Sequence, residues 1–352
     1  MTHLIVGEPA PLFAAATFFR SDFAFGSVGG RYSLLAFLPT DAPGRSAALD
    51  ALTRHRELFQ EDRLLVFPIL RDRASVPAAR DEPGLIWFFD PVGEIARLYG
   101  ALSADGIERP MLMLIDPSLR IMMMAPMHLA DEMLERLRRL PQIEAHAGVP
   151  LHAPVLIVPR VFERDMCRRL IAHYEAVGGH RSGVMREING KTVGVLDDFK
   201  RRRDADIPDQ RLRAELRARI GRRLLPEIVK AFTVTLTRVE RYIVACYDAD
   251  EGGYFRPHRD NTTPGTAHRR FAVSINLNAE DFEGGDLRFP EFGPRTYRPP
   301  TGGAVVFACG LLHEATPVTR GTRYAFLPFL YDEAGEAVRR RNLHLVQNAP
   351  TS

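Results

Sequence analysis

Residues 271–277 read Phe-Ala-Val-Ser-Ile-Asn-Leu, with Phe271, Val273, Ile275 and Leu277 alternating strictly with Ala272, Ser274 and Asn276. Successive side chains of a strand point to opposite faces, so a period of two marks extended chain with one apolar face. The pattern spreads outward. Residues 287–289, 304–307 and 324–331 are further short apolar runs, separated by turns rich in Gly and Pro. Many short strands at even spacing predict a β-sandwich or barrel from Thr235 onward.

Upstream, Leu212, Leu216, Ile220, Leu224 and Ile228 recur every fourth residue and predict one long helix over 209–231. The segment 180–208 is polar and irregular, with a basic run at 200–203. A strand at 155–158 and a helix at 163–177 open this half. Pro141, Gly148, Pro150 and Pro154 punctuate a stretch without periodicity, so 143–154 reads as a linker between 1–142 and 155–340. In the first segment, 33–38, 64–70, 85–89 and 111–115 are short continuous apolar runs that predict buried strands. Between the first two, Leu49, Leu52 and Phe59 recur at helical intervals over 46–59. Leu134 and Leu137 mark a last helix at 131–140. Strand–helix–strand order implies an α/β layer with a partly parallel sheet.

A chain of 352 residues is long for one domain, and two are expected. Hydrophobic content of 45% and charged content of 26% are ordinary for a water-soluble globular protein. A net charge of +3 does not predict nucleic-acid binding by the whole chain. No apolar run approaches the ~20 residues that span a bilayer, and the first residues lack the pattern of a secretory leader. The expectation is a cytoplasmic protein. Cys167, Cys246 and Cys309 are odd in number and widely spaced, which predicts buried reduced thiols and no thiolate metal site. Ten Lys/Arg against four Asp/Glu between 200 and 223 predict a solvated helix face, with nucleic acid as the rival reading. The methionines between Met111 and Met127 fit core packing at strand spacing.

The chemistry starts at Arg256-Pro-His258-Arg-Asp260. On extended chain, residues i and i+2 share a face, so His258 and Asp260 can converge on one ion. Imidazole with carboxylate suits Fe(II). An H-x-D tripeptide by itself is more commonly a surface turn. His313, at the end of the apolar run 304–309, changes the balance, because a barrel brings that end beside the H-x-D segment. Two histidines and one carboxylate mark non-haem iron oxygenases and leave three coordination positions open. Arg323 follows ten residues later; pointing into a barrel, its planar fork calls for a carboxylate partner. A surface ion pair is the plainer account of it.

Residues 237–333 resemble the prolyl-4-hydroxylase branch of the Fe(II)- and 2-oxoglutarate-dependent dioxygenases, and most closely its oxygen-sensing members. The resemblance is carried by Ile243-Val-Ala-Cys-Tyr247, Gly253-Tyr254, His258-Arg-Asp260-Asn261, Glu283-Gly-Gly-Asp-Leu287 and the block from His313 to Arg323-Tyr324. It implies a double-stranded β-helix (jelly-roll) with supporting helices. It implies iron on His258, Asp260 and His313, and the distal carboxylate of 2-oxoglutarate on Arg323. Tyr247 would line the cosubstrate pocket, a core tyrosine being equally plausible. Many collagen-type members have lysine in place of Arg323, and Asn276 stands where the oxygen-sensing members have a pocket tyrosine. The implied reaction consumes O2, releases succinate and CO2, and hydroxylates an unactivated C–H bond, with L-ascorbate as a further requirement. In family members the segment before the core closes over substrate, so 180–208 is a candidate lid, with a plain surface loop equally open.

The first segment resembles a peroxiredoxin of the thioredoxin fold, through Val6-Gly-Glu-Pro-Ala-Pro-Leu-Phe13, Gly30-Arg-Tyr-Ser-Leu-Leu-Ala-Phe-Leu-Pro39 and Arg109-Pro-Met-Leu-Met-Leu-Ile-Asp116. Peroxidase chemistry needs a thiolate, yet no cysteine precedes Cys167 and Ser46 stands about where it belongs. The implied role is a scaffold for docking, regulation or homodimerisation. For the whole chain, prolyl hydroxylation of a peptide or protein leads. Hydroxylation of a small molecule or free amino acid, and a non-catalytic iron- or oxygen-responsive binding module, remain open beside it. A nucleic-acid demethylase would carry a further arginine motif that Arg320-Gly-Thr-Arg323 does not reproduce.

Overall fold

The computed structural model describes residues 4–76 and 79–347. The chain divides into two units, residues 1–152 with 290–294, and residues 153–289 with 295–352. Among the described residues no helix is long and apolar enough to cross a membrane.

The first unit is built on a five-stranded sheet in the order Phe88–Phe89, Leu64–Leu70, Tyr32–Phe37, Met111–Ile115, Ile121–Pro126. The first three strands run parallel and the last two antiparallel. Leu34, Ala36, Val66, Leu112 and Leu114 pack under helices Ala42–Arg54 and Ala130–Leu137, while Leu35, Phe37, Leu65, Phe67 and Met113 face a second cluster with Phe25, Phe88 and Tyr99. Both faces are covered, which is why these strands read as unbroken apolar runs.

Two elements depart most from expectation, while the strand 33–38 is Tyr32–Phe37 and the helix 131–140 is Ala130–Leu137. The first helix starts at Ala42, not 46, because the Asp41 carboxylate accepts the Gly44 N–H at 2.7 Å and Pro43 fits the first turn. The expected strand 85–89 shrinks to Phe88–Phe89, with Leu85 joined only by isolated bridges. Met113 and Met127 are buried and Met122 and Met123 pack against the core, whereas Met124 is exposed.

In the second unit two antiparallel sheets oppose each other, the arrangement of a jelly-roll. The larger contains Phe271–Asn276, Ile243–Asp248, Thr322–Phe326, Ala304–Ala308 and Arg203–Asp206. The smaller runs in the order Lys200–Arg201, Tyr254–His258, His313–Ala315, Leu287–Arg288, Thr296–Tyr297. Val244, Cys246, Val273, Ile275 and Leu277 turn outward onto helix Arg164–Val177 and the leucine stripe of 210–232. Ile243, Ala245, Tyr247, Phe255 and Ala325 turn inward between the sheets. The expected long helix is present but carries a π-turn at Ile220–Leu224 between Gln210–Arg219 and Leu225–Phe232.

Three further expectations are corrected. The segment 180–208 is not irregular: it holds a hairpin, Val184–Ile188 with Lys191–Val195, and three more strands. The run 324–331 is two strands, Thr322–Phe326 and Phe329–Tyr331. The basic run 200–203 belongs to no solvated helix: Lys200–Arg201 and Arg203–Asp206 are strands of the two sheets with Arg202 between them, and Lys200 and Arg202 are buried while Arg201 is exposed. All three cysteines are buried and free, and burial pushes the thiols of Cys167 and Cys246 up to about 11.

Candidate metal and cosubstrate site

His258 closes strand Tyr254–His258, and His313 opens strand His313–Ala315 directly opposite it in antiparallel register. His313 therefore does not close the strand Ala304–Ala308; a turn carries the chain from that sheet into the other. Asp260 lies two residues past its strand, held by its N–H donating to the Cys309 carbonyl at 2.9 Å. The three residues offer ligand atoms that all lie within 4.8 Å of one another. His258 Nε2 is 3.6 Å and His313 Nε2 3.3 Å from the Asp260 carboxylate, and the two rings are 4.3 Å apart.

The second nitrogen of each ring is spoken for. His258 Nδ1 lies 2.8 Å from the Arg256 carbonyl and His313 Nδ1 3.0 Å from the Leu311 carbonyl. A carbonyl can only accept, so Nδ1 carries the proton and Nε2 presents its lone pair to the centre of the triad. Phe255 stacks on His258, and Phe307 and Phe289 flank His313. Burial, then the neighbouring His313, lowers His258 to about 4, which keeps it neutral. Burial pushes the Asp260 carboxyl up, but the neighbouring His313 and His258 outweigh it and hold the group well below the usual carboxylate range. Two imidazoles and one carboxylate, converging among aromatic rings, fit a ferrous ion.

Arg323 sits on strand Thr322–Phe326, paired across to Tyr247. It is 3% exposed, and among the described residues no carboxylate forms an ion pair with it. Its guanidinium donates to Ser274 Oγ at 2.8 Å and to Asn276 Oδ1 at 3.3 Å and lies over the Tyr247 ring. Burial lowers its pKa, as expected of a cation held without a counter-charge. Tyr247, itself buried, accepts from Arg202 at 3.5 Å through its hydroxyl.

Sequence reasoning left several of these residues unassigned. Ser274 and Asn276 are the polar members of the alternating run 271–277; they point into the barrel and are buried, so their polarity marks a lined interior and not a solvent face. Arg202 clasps Asp204 through two bonds of 2.7 Å, and Lys200 Nζ donates to Ser182 Oγ at 2.7 Å. The detectable signal was the i, i+2 spacing of Lys200, Arg202 and Asp204.

Residues 242–331 match the family model described as the 2OG-Fe(II) oxygenase superfamily. A multifunctional procollagen lysine hydroxylase and glycosyltransferase of Rattus norvegicus is 36% identical over 100 residues, 27% of this chain and 13% of that protein. A PKHD-type hydroxylase of Pseudomonas fluorescens is 29% identical over 180 residues, 49% of this chain and 75% of that protein. Several other PKHD-type hydroxylases are matched over less than two thirds of their own length, among them one from Paracoccus denitrificans, 40% identical over 22% of this chain and 37% of its own. A solved prolyl hydroxylase from Trichoplax adhaerens, in complex with a peptide fragment of the hypoxia inducible factor oxygen degradation domain, is similar with a TM-score of 0.40. It is 18% identical, over 58% of this chain and 93% of its own. Residues 242–331 are thus similar to the 2OG-Fe(II) oxygenases, which supports reading the chain as a 2-oxoglutarate-dependent dioxygenase.

Proposed function

We propose that the protein hydroxylates an unactivated C–H bond on a prolyl residue of a peptide or protein, consuming 2-oxoglutarate and O2 and releasing succinate and CO2. One observation carries the reading. The triad His258, Asp260 and His313 shares a barrel interior with Arg323, a buried cation whose hydrogen-bond partners are all neutral. A module that only bound iron would have no use for that arginine. The prolyl preference rests on the resemblance of residues 237–333 to the prolyl-4-hydroxylase branch, while the procollagen relative is named a lysine hydroxylase.

Iron held by the triad would supply O2 activation coupled to oxidative decarboxylation of the cosubstrate. His258 and His313 present Nε2 because their Nδ1–H groups are held by backbone carbonyls. Asp260, held well below the usual carboxylate range, is ionised at neutral pH. Arg323 would take the distal carboxylate of 2-oxoglutarate in a bidentate grip, with Ser274 and Asn276 aiming it and Tyr247 forming the floor. Phe255, Phe289 and Phe307 keep water from the metal-facing side. A requirement for ascorbate accompanies this reading.

For the first unit we favour a thioredoxin-like scaffold without peroxidase activity. The mixed five-stranded sheet supports it, as does Ser46, exposed on the helix that follows the central strand. Docking, regulation or homodimerisation are the roles left to it.

Anaerobic titration of the full chain with Fe(II) and 2-oxoglutarate tests the site. The expected result is a visible metal-to-ligand charge-transfer band. A wild-type protein that binds no iron and gives no band would sink the dioxygenase reading in favour of a binding module. Succinate release with proline-containing peptides against metabolites then tests the substrate class.

A further inference from the structure

We infer that the substrate of this site carries a carboxylate, and that Lys200 recognises it. The inference rests on the dioxygenase reading above and adds a charge balance to it. Six cations and several carboxylates crowd the barrel interior and its rim. Three of the cations are paired: Arg202 with Asp204, Arg269 with Glu240 and Arg298 with Asp286. Asp260 and Arg323 remain. The two charges of a ferrous ion and the one of Arg323 are balanced by Asp260 and the two carboxylates of 2-oxoglutarate. The metal and cosubstrate therefore neutralise their own binders and nothing else.

Lys200 and Arg241 are left over. Among the described residues neither has a carboxylate within ion-pair distance. Arg241 is satisfied in another way, through two bonds of 3.0 and 2.9 Å to the Leu327 carbonyl and a place over the Phe329 ring. Lys200 is 6% exposed and sits on the edge strand of the smaller sheet, paired to Phe255 of the strand that carries His258. Its ammonium lies 4.9 Å from the centre of the Phe255 ring, whose plane stacks on His258. It donates to Ser182 Oγ and to the Gly183 carbonyl, at the base of the hairpin 184–195.

Burying an ammonium without a counter-charge is costly, and burial with Arg202 nearby pushes the Lys200 pKa well down, a loss that a bound carboxylate would reverse. Methionine would fill the same space without that cost, so the charge calls for a purpose. An ammonium has three N–H groups, and only two are engaged by protein acceptors. A substrate carboxylate entering beside the triad would take the third and supply the missing charge. The same chemistry could come from an acidic side chain next to the reacting residue or from the α-carboxylate of a free amino acid.

Both sources are separable by titration calorimetry on the full chain, loaded anaerobically with Fe(II) and 2-oxoglutarate. The probes are a capped proline-centred peptide with Glu beside the proline against its Gln counterpart, and free L-proline against L-prolinamide. One acidic member should bind at least about tenfold more tightly than its neutral partner, and the pair that discriminates names the source. Lys200→Met should erase the difference, Lys200→Arg should keep most of it, and the iron–2-oxoglutarate band should persist in both. Lys200→Gln, whose amide can still donate to the Gly183 carbonyl, serves if the methionine variant melts early. No discrimination by the wild type in either pair, or full discrimination by both neutral variants, overturns the inference while a normal charge-transfer band leaves the dioxygenase reading standing. Absence of the band in the wild type is the separate result that removes the reading beneath it.

Discussion

The sheet of the first unit and the barrel of the second are both buried on two faces, but they are filled with opposite kinds of side chain. In Tyr32–Phe37 and Leu64–Leu70 every position is buried, and Ser33 is the only aliphatic hydroxyl among them. Inside the barrel the same depth holds Lys200, Arg202, Asp204, Ser274, Asn276, His313 and Arg323. The apolar sheet needs no ligand to explain it, because burial of aliphatic surface is itself favourable. A barrel that encloses so many charges gives up stability, and an interior of that kind signals a site. The contrast supports placing the chemistry in the second unit and the proposed scaffold in the first.

The most severe test of this contrast is His313→Ala. Outer-shell partners of metal ligands alone are worth about 10- to 100-fold in affinity, so loss of a ligand should lower iron affinity by more than about 100-fold and abolish the charge-transfer band. Retention of the band would remove His313 from the site. Next is Leu34→Ala in the first unit. A fully buried leucine truncated there should cost about 2–5 kcal/mol in chemical denaturation, with 2-oxoglutarate affinity of the folded protein unchanged. A parallel fall in cosubstrate affinity would break the division of labour.

Arg323→Met sharpens the comparison from the other side. It should cost about 2–5 kcal/mol in 2-oxoglutarate binding, yet leave the melting temperature of the unliganded protein equal or higher, since an unpaired buried charge is removed. A large fall in melting temperature without ligand would make Arg323 a structural residue. Ser274→Ala removes one acceptor from that arginine and should weaken cosubstrate binding by about 0.5–1.5 kcal/mol, seen as a raised KM with little change in kcat.

The last test is in acid. In the folded, metal-free protein His258 is lowered from 6.5 to about 4, so below pH 6.5 the unfolded chain takes up a proton that the folded one refuses. Stability should fall between those values and level off below. Asp260, also depressed, acts in the same direction at lower pH. The denaturation midpoint followed against pH checks both, and substituting His258 with Gln should flatten the upper part of the curve.

Much of the site was legible before the structure because its residues are chemically unusual for their position. His258, Asp260, His313, Arg323 and Tyr247 were all singled out from the sequence, and the structure brings the first three together and sets the other two against each other. The route was less legible. His258 and Asp260 do not share a strand face, since Asp260 has left the strand. His313 lies in a different sheet from the run that precedes it. Neither follows from local spacing, because a turn's exit direction is decided by what the chain packs against afterwards.

The segment 180–208 was the least legible part. Polar, with several glycines and a run of four basic residues, it lacks the apolar alternation by which strands are recognised. Its strands exist because the edges of the two sheets supply backbone partners, and its charged residues can face inward because Asp204 and Ser182 await them.

The sequence alone determined which residues could carry the chemistry, the division into an α/β segment and a β-rich one, and the faces of the long helix, since residue identity and short-range periodicity settle those. The tertiary structure decided which side of each barrel strand is interior. Alternation distinguishes two faces without saying that both are buried, and only closure of the second sheet over Ser274 and Asn276 turned a face that reads as solvent-exposed into the wall of a site.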